Sequence, residues 1–482
     1  MIDNLAQLLL ARAAQRPGLT IGTIDDPTTL ATAIPHAAAV AEQLAQTIAP
    51  GERVMLIADT STDYLISWMG CILAGNPVGL VNPTYPDDLS ASMIAGFAPG
   101  AVLLPRKRDP GALDWHGPTL LVDDARQRSA TPTDSAAGVT VQRLDVASYM
   151  HTSGTTGQPK FCVQSHSYFL KLAADVSQML ELKATDRVFA PLPMFHINPM
   201  GYGLIGALWA GSDVLAASRF SASTFWANVA QQAITALILH APPVAILSRR
   251  DASEFRPHSV RTMFYADRTF MDRFTVPTAV SGYGSTEAGG LSHMRRWSTQ
   301  QDIPLDASRH GGEPRAGIQW RLRDDGQIAI RATEPGVLFD GYLRDGGVVR
   351  PFDDQGWFHT GDFGRREPGG ELVFLERASE SIRVRGEFVP IQYVEKEIGQ
   401  VPGITDLALW KRPGALVDED VVLYVVAEQV PLSALRQATE QLPGFMRPSM
   451  VIRTGKLPRD AAAGKVQRRL LAEQPVLEEV PL

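Results

Sequence analysis

Residues 151–160 read HTSGTTGQPK, from His151 to Lys160, directly after the apolar-tinged run VASYM. Three threonines, a serine, two glycines and a lysine in ten residues admit two readings. Glycines let backbone amides close on an anion, hydroxyls add donors and Lys160 adds a point charge, which together suit polyphosphate. The other reading is a polar turn between two strands, because Gly, Ser and Thr crowd surface turns. A Walker loop is excluded: Lys160 follows Pro159 and precedes Phe161, where that motif needs Ser or Thr for magnesium. These ten residues alone do not choose between the two.

Upstream of this stretch the chain alternates short β-branched runs with helical ones: RVMLIAD, STDYLISWMGCILAG (an amphipathic helix), PVGLVNP, DDLSASMIAGFAPG and AVLLP. Strand, helix and strand in that rhythm predict βαβ units and a parallel sheet with helices on its faces, an α/β fold. The same rhythm returns between Val188 and Val280. After Ile318 the texture changes to short polar-interrupted strands, and WRLRDDGQIAIRA holds an Asp-Gly pair suited to a hairpin. From about Ser379 a final block mixes strands and helices, SIRVRGEFVPIQYVEKEI, DVVLYVVAEQ and LSALRQATEQL, which fits a small α+β domain.

At 482 residues the chain is several cores long, and 45% hydrophobic with 20% charged residues is an ordinary globular balance. A net charge of −7 without a basic cluster speaks against nucleic acid as a partner. Cys71 and Cys162 cannot frame a disulfide scaffold for this length and point to a reducing, cytoplasmic setting. MIDNLAQLLLARAAQRP lacks the basic start and unbroken apolar stretch of a signal peptide and reads as an amphipathic helix with Leu5, Leu8, Leu9 and Ala13 on one face. No membrane span is expected: Gly201 to Ala217, the most apolar stretch, is short and carries Asp213, so it reads as a buried helix running into a strand.

Three further segments carry chemistry-bearing residues. SGYGSTEAGG places Tyr283 among glycines, followed by Thr286 and Glu287; an aromatic face stacks on a base, and a carboxylate near phosphates holds magnesium. WFHTGDFG sets Asp362 in a turn, where a carboxylate can take both hydroxyls of a ribose. LPRDAAAGKVQRRLL presents Lys465 in a loop ahead of a basic helical stretch. Each has an ordinary alternative: a Gly-rich strand end, a Gly-Asp turn and a solvated lysine.

Taken in order, HTSGTTGQPK, GYGSTE, HTGD and AGKVQR resemble the adenylate-forming superfamily of acyl-CoA synthetases, peptide adenylation domains and luciferases. PLPMFHINPMG, DGYL, ERASESIRVRGEFVPIQYVEKEI and LPGFMRP extend the resemblance over nearly the whole chain. It implies a large N-terminal domain of layered βαβ subdomains plus a β-rich subdomain (1–377), a hinge (378–380) and a small mobile α+β domain (381–482). It also implies an ATP-dependent ligase that forms an acyl-adenylate and pyrophosphate, then passes the acyl group to a pantetheine thiol. By the same resemblance Thr152, Ser153, Gly154, Thr155, Thr156, Gly157 and Lys160 would hold the β- and γ-phosphates. Tyr283 with Gly284 would hold adenine, Thr286 the α-phosphate, Glu287 magnesium, and Asp362 with Arg377 the ribose. Lys465 would reach the α-phosphate and the acyl carboxylate. His196, Gly201 and Gly282 would line the acyl pocket, His196 gating it, and rotation of the C-terminal domain would exchange Lys465 for a hairpin around Gly386.

Three positions depart from that pattern. Ser379 stands at the hinge where Asp or Lys is common, MFYADRTF puts Tyr265, Asp267 and Arg268 where small residues frame adenine, and PRDAAAGK is one residue longer than usual. His196 occupies the place where amino-acid-activating members carry Asp, so the expected substrate is a carboxylic acid without an α-amino group, aryl or medium-sized. The implied cofactors are ATP, Mg2+ and CoA, or a phosphopantetheine carrier as a separate protein, since no carrier domain follows Lys465. Transfer to a nitrogen or oxygen nucleophile, and a non-catalytic nucleotide-binding role, are the alternatives; Lys160, Glu287, Asp362 and Lys465 together speak against the last.

Overall fold

The computed structural model describes residues 2–128, 141–153, 159–377, 382–414, 419–459 and 466–482. The chain divides into two compact units. The larger comprises Met1–Pro83, Ala91–His151 and Phe161–Arg377; the smaller comprises Thr84–Ser90, Thr152–Lys160 and Ala378–Leu482.

Val54–Ile57, Val78–Val81 and Ala101–Leu104 are buried at every position, as central parallel strands covered on both faces must be. They pair in parallel, with Val54 opposite both Val78 and Ala101, inside an eight-stranded sheet. Ser61 caps the connecting helix Thr62–Leu73 by accepting from the Tyr64 amide at 3.0 Å. This helix is not amphipathic as its sequence suggested: every residue from Thr62 to Leu73 except Asp63 is buried. It lies against the helix Leu30–Thr47, and a methyl group on Gly70 would meet Val40 at 2.5 Å, so a neighbour covers its second face.

The second, thirteen-stranded sheet is parallel at its centre. Asp213–Ala216, Arg187–Ala190, Ala236–Ile238, Thr262–Phe264 and Thr278–Tyr283 lie side by side in that order. Beyond Thr278–Tyr283 the sheet turns antiparallel through His293–Ser298 and His310–Pro314 into the β-rich part, Leu372–Arg377, Phe358–Arg366, Gln327–Ala332 and Ile318–Leu322. The last two form the expected Asp-Gly hairpin, closed by Gly326 at φ +83°. The apolar stretch from Gly201 runs as a π-helix, Asn198–Ile205, into a short α-helix, Gly206–Ala210, and then the strand Asp213–Ala216. Leu5, Leu8 and Leu9 bury one face of the N-terminal helix Leu5–Gln15.

In the smaller unit Ile382–Val384 and Glu387–Val389 pair across Arg385 and Gly386, both at positive φ, the backbone of a two-residue hairpin turn. The helix Ile391–Ile398 follows, then a four-stranded sheet of Ile404–Pro413, Glu419–Ala427, Met450–Thr454 and Val476–Pro481, with the helix Leu432–Glu440. Among the described residues no helix is long and apolar enough to cross a membrane. Cys71 and Cys162 are both buried.

Candidate active site

From Arg187–Ala190 the chain passes to the neighbouring strand Asp213–Ala216, then crosses back to Ala236–Ile238 on the other side. The loops leaving Arg187–Ala190 and Ala236–Ile238 therefore part in opposite directions and open a crevice at the carboxyl ends of the strands, where α/β sheets bind ligands. Residues 191–197, 239–240, 265–267 and 284–292 follow the carboxyl ends of four of these strands.

Tyr283 ends the strand Thr278–Tyr283 and so belongs to the sheet rather than to the glycine-rich loop after it. Its hydroxyl donates to Asp362 Oδ2 at 2.8 Å, and its ring stacks on Phe374 with centroids 5.8 Å apart. The expected base-stacking aromatic and ribose-binding carboxylate are thus in direct contact. Asp362 does not sit in a turn: it lies within the strand Phe358–Arg366, paired with Arg377 ahead of a register shift between Phe363 and Gly364, and its amide donates to Thr360 Oγ1 at 3.2 Å. The pairing draws it into the sheet; Gly361 at φ +72° supplies the irregularity that looked like a turn.

The loop after Tyr283 is held at several points. Tyr168 donates to the Thr286 carbonyl at 2.9 Å and Tyr202 to the Gly290 carbonyl at 2.9 Å. The buried Arg315 donates to the carbonyls of Gly289 and Leu291 and pairs with Asp175 at 2.6 Å. Gly284 packs so closely that a Cβ there would stand 2.2 Å from the Gly290 oxygen, and Gly290 has φ +77° with Leu172 2.5 Å from its missing Cβ. Glu287 Oε1 accepts from Tyr342 at 3.1 Å, and burial, then the Glu287 charge, push the Tyr342 phenol well up. Among the described residues no three His, Cys, Asp or Glu side chains converge as a metal cage. One carboxylate with a phenol behind it suits magnesium, which keeps water and phosphate oxygens as its other ligands.

His196 follows Phe195 with rings 4.6 Å apart, and His151 stacks on Phe195 at 6.1 Å and 23°. His151 Nε2 accepts from the Asn82 amide at 3.3 Å, and burial, reinforced by His196, pulls its pKa down to about 3. Gly201 lies in the π-helix against Leu172 and Ile197; Gly282 lies against Leu291 and the His293 carbonyl. Tyr265, at the edge of the crevice, has φ +87°, a strained value for a large side chain, and packs on two core clusters.

Thr152 is buried near the end of the strand Val146–Ser153, and Lys160 is half-buried at the start of Pro159–Ser165. Gly154, Thr155, Thr156, Gly157, the hinge residues 378–380 and Lys465 lie outside the described residues. Arg459 and Val466 form an antiparallel bridge around residues 460–465. Gly386 sits on its own hairpin in the smaller unit. Sequence reasoning missed Tyr168, Tyr202, Arg315 and Phe374, which no local pattern marks. The sequence marks Tyr342 only as part of DGYL.

A sequence model of the family described as AMP-binding enzyme matches residues 11–341. The chain belongs to the AMP-binding enzyme family. Among relatives of this AMP-binding enzyme, the long-chain-fatty-acid–CoA ligase FadD13 of Mycobacterium tuberculosis is 25% identical over 471 residues, covering 89% of each chain. The sulfoacetate–CoA ligase of Cupriavidus necator is 27% identical over 514 residues, covering 97% of each. The solved structure of o-succinylbenzoate CoA synthetase from Bacillus subtilis shares the fold, with a TM-score of 0.83 at 22% identity over 97% of this chain and 98% of that one.

Proposed function

We propose that this AMP-binding enzyme is an AMP-forming acid–thiol ligase. A carboxylate oxygen attacks the α-phosphorus of ATP and pyrophosphate leaves; the thiol sulfur of CoA then attacks the acyl carbon and AMP leaves. The observation that carries the reading is the Tyr283–Asp362 hydrogen bond, beside a braced loop that carries Glu287. An aromatic ring and a buried carboxylate joined in this way fit a nucleoside's base and ribose, and the relatives named above are CoA ligases.

In this reading Tyr283 and Gly284 face adenine, Asp362 and Arg377 take the ribose, and Thr286 contacts the α-phosphate. Thr152, Ser153, Gly154, Thr155, Thr156, Gly157 and Lys160 grip the β- and γ-phosphates. Glu287 would hold magnesium, which would neutralise phosphate charge; Lys465 does so at the reacting carboxylate, where fixed positive charge lowers the barrier most. His196, Gly201 and Gly282 border the acid, which lacks an α-amino group. The chain reads as a 1–377 domain, a hinge at 378–380 and a mobile 381–482 domain, whose rotation exchanges Lys465 for the Gly386 hairpin between half-reactions. A cytoplasmic location belongs to the same reading.

ATP–pyrophosphate exchange across a panel of carboxylic acids tests it. Exchange with at least one acid, abolished in Lys465→Ala, is expected; silence with every acid overturns the ligase reading. Thioester formation with free CoA, measured against carrier proteins bearing phosphopantetheine, then identifies the acceptor.

A further inference from the structure

Asn198 opens the π-helical segment Asn198–Ile205, in the loop that leaves the strand Arg187–Ala190. Its Nδ2 donates to the Leu239 carbonyl at 3.2 Å, just beyond Ala236–Ile238. The amide therefore spans the two loops that part at the crevice, tied to both. Because a carbonyl can only accept, this bond fixes which end of the amide is nitrogen. It leaves Oδ1 pointing elsewhere, buried and without a hydrogen-bond partner among the described residues.

A buried amide oxygen left unpaired costs about 1–3 kcal/mol, and native proteins keep few such atoms without a use. The flanking residues are mostly apolar: Ile197 precedes Asn198, Met200 and Tyr202 follow it, and Tyr202 packs on Phe264, while His196 and His240 stand on the same two loops. A mostly apolar wall with an oriented acceptor is how a small-molecule site selects among ligands of similar shape.

We infer that Asn198 Oδ1 reads a hydrogen-bond donor on the acyl group, so that the acid is one bearing a neutral hydroxyl or amide N–H. This rests on the ligase reading and narrows its substrate class. The donor is neutral because an ammonium would need a carboxylate nearby. The acidic side chain on the adjoining 265–267 loop, Asp267, already caps the helix Arg268–Arg273 through the Phe270 amide at 2.8 Å. No bond forms or breaks at Asn198; it is a specificity-determining residue.

The test is ATP–pyrophosphate exchange with matched acids: hydroxybenzoate against benzoate, hydroxyphenylacetate against phenylacetate, and hydroxybutyrate against butyrate, each hydroxyl position in turn. At least one hydroxylated acid should exceed its parent in kcat/KM by about tenfold or more, because a site built to bond a hydroxyl discriminates against the analogue without one. Asn198→Leu should erase that preference by lowering kcat/KM for the hydroxylated acid while leaving the parent within about twofold. Parents used as well as their hydroxylated partners by the unmodified enzyme overturn the inference and leave the ligase reading standing. An equal loss on both acids in Asn198→Leu also overturns it, since that marks a structural role. No exchange with any acid overturns both. The comparison in the unmodified enzyme decides even where the variant fails to fold.

Discussion

Tyr283 and Asp362 meet through one hydroxyl, and that hydroxyl can be removed alone. Tyr283→Phe takes a donor from a buried carboxylate, so unfolding free energy should fall by about 1–2 kcal/mol in a denaturant titration. The ring remains to stack, so KM for ATP should rise several-fold while kcat holds. A collapse of kcat with unchanged KM would show that the phenol acts on the reaction itself. Three buried histidines make a second claim at this scale. Burial holds His151 and His293 down to about 3 and His166 down to about 4; His196 adds to the first, and Arg366 and Arg315 to the second. In the unfolded chain each titrates near 6.5, so below that pH the unfolded state binds protons that the native state refuses. Stability is therefore fully present above about 6.5 and drains as the pH falls toward the folded values. Thermal midpoints measured from about pH 7 down to about pH 5 should drop, and less steeply in His166→Gln; an identical slope would clear His166 of any part in the loss.

The 284–292 loop is shaped by its neighbours more than by its own sequence. Gly290→Ala forces a Cβ onto Leu172 and a side chain into the left-handed region, for about 1–3 kcal/mol of stability and a clear fall in exchange rate. Unchanged melting and turnover would mean that the loop tolerates rearrangement. Elements like this show where a sequence can and cannot be read. The all-apolar runs Val54–Ile57 and Ala101–Leu104 announce central strands because both faces are covered, and HTSGTTGQPK gains its meaning from the order of its companions. STDYLISWMGCILAG misleads because the helix Leu30–Thr47 covers the face that looked exposed, a fact stored some thirty residues away. Asp362 misleads for a related reason: its turn-like glycine is an irregularity inside a strand whose partner, Leu372–Arg377, sits further along the chain. Tyr168, Tyr202 and Arg315 reach the site from distant elements by tertiary packing alone, and no spacing records that.

At the scale of the molecule the division of labour between half-reactions makes a separable prediction. Lys160→Ala should weaken ATP use, raising KM for ATP in the exchange assay, yet leave thioester formation from a supplied acyl-adenylate largely intact. A substitution at Gly386, whose φ of +86° suits glycine, should do the reverse. Equal loss in both assays for Lys160→Ala would make the 151–160 stretch a structural turn after all. The proposed rotation of the 381–482 domain is best watched directly, and the cysteines make that practical. The chain has two, Cys71 and Cys162, both buried, and burial pushes the Cys71 thiol up to about 12. A thiolate is the species that reacts with maleimides, and burial shields both thiols, so the folded protein should label only slowly. One exposed cysteine added to each unit would accept a donor and an acceptor dye with no need to strip the native thiols. Single-molecule energy transfer could then follow the catalytic cycle on an enzyme whose interior has not been altered.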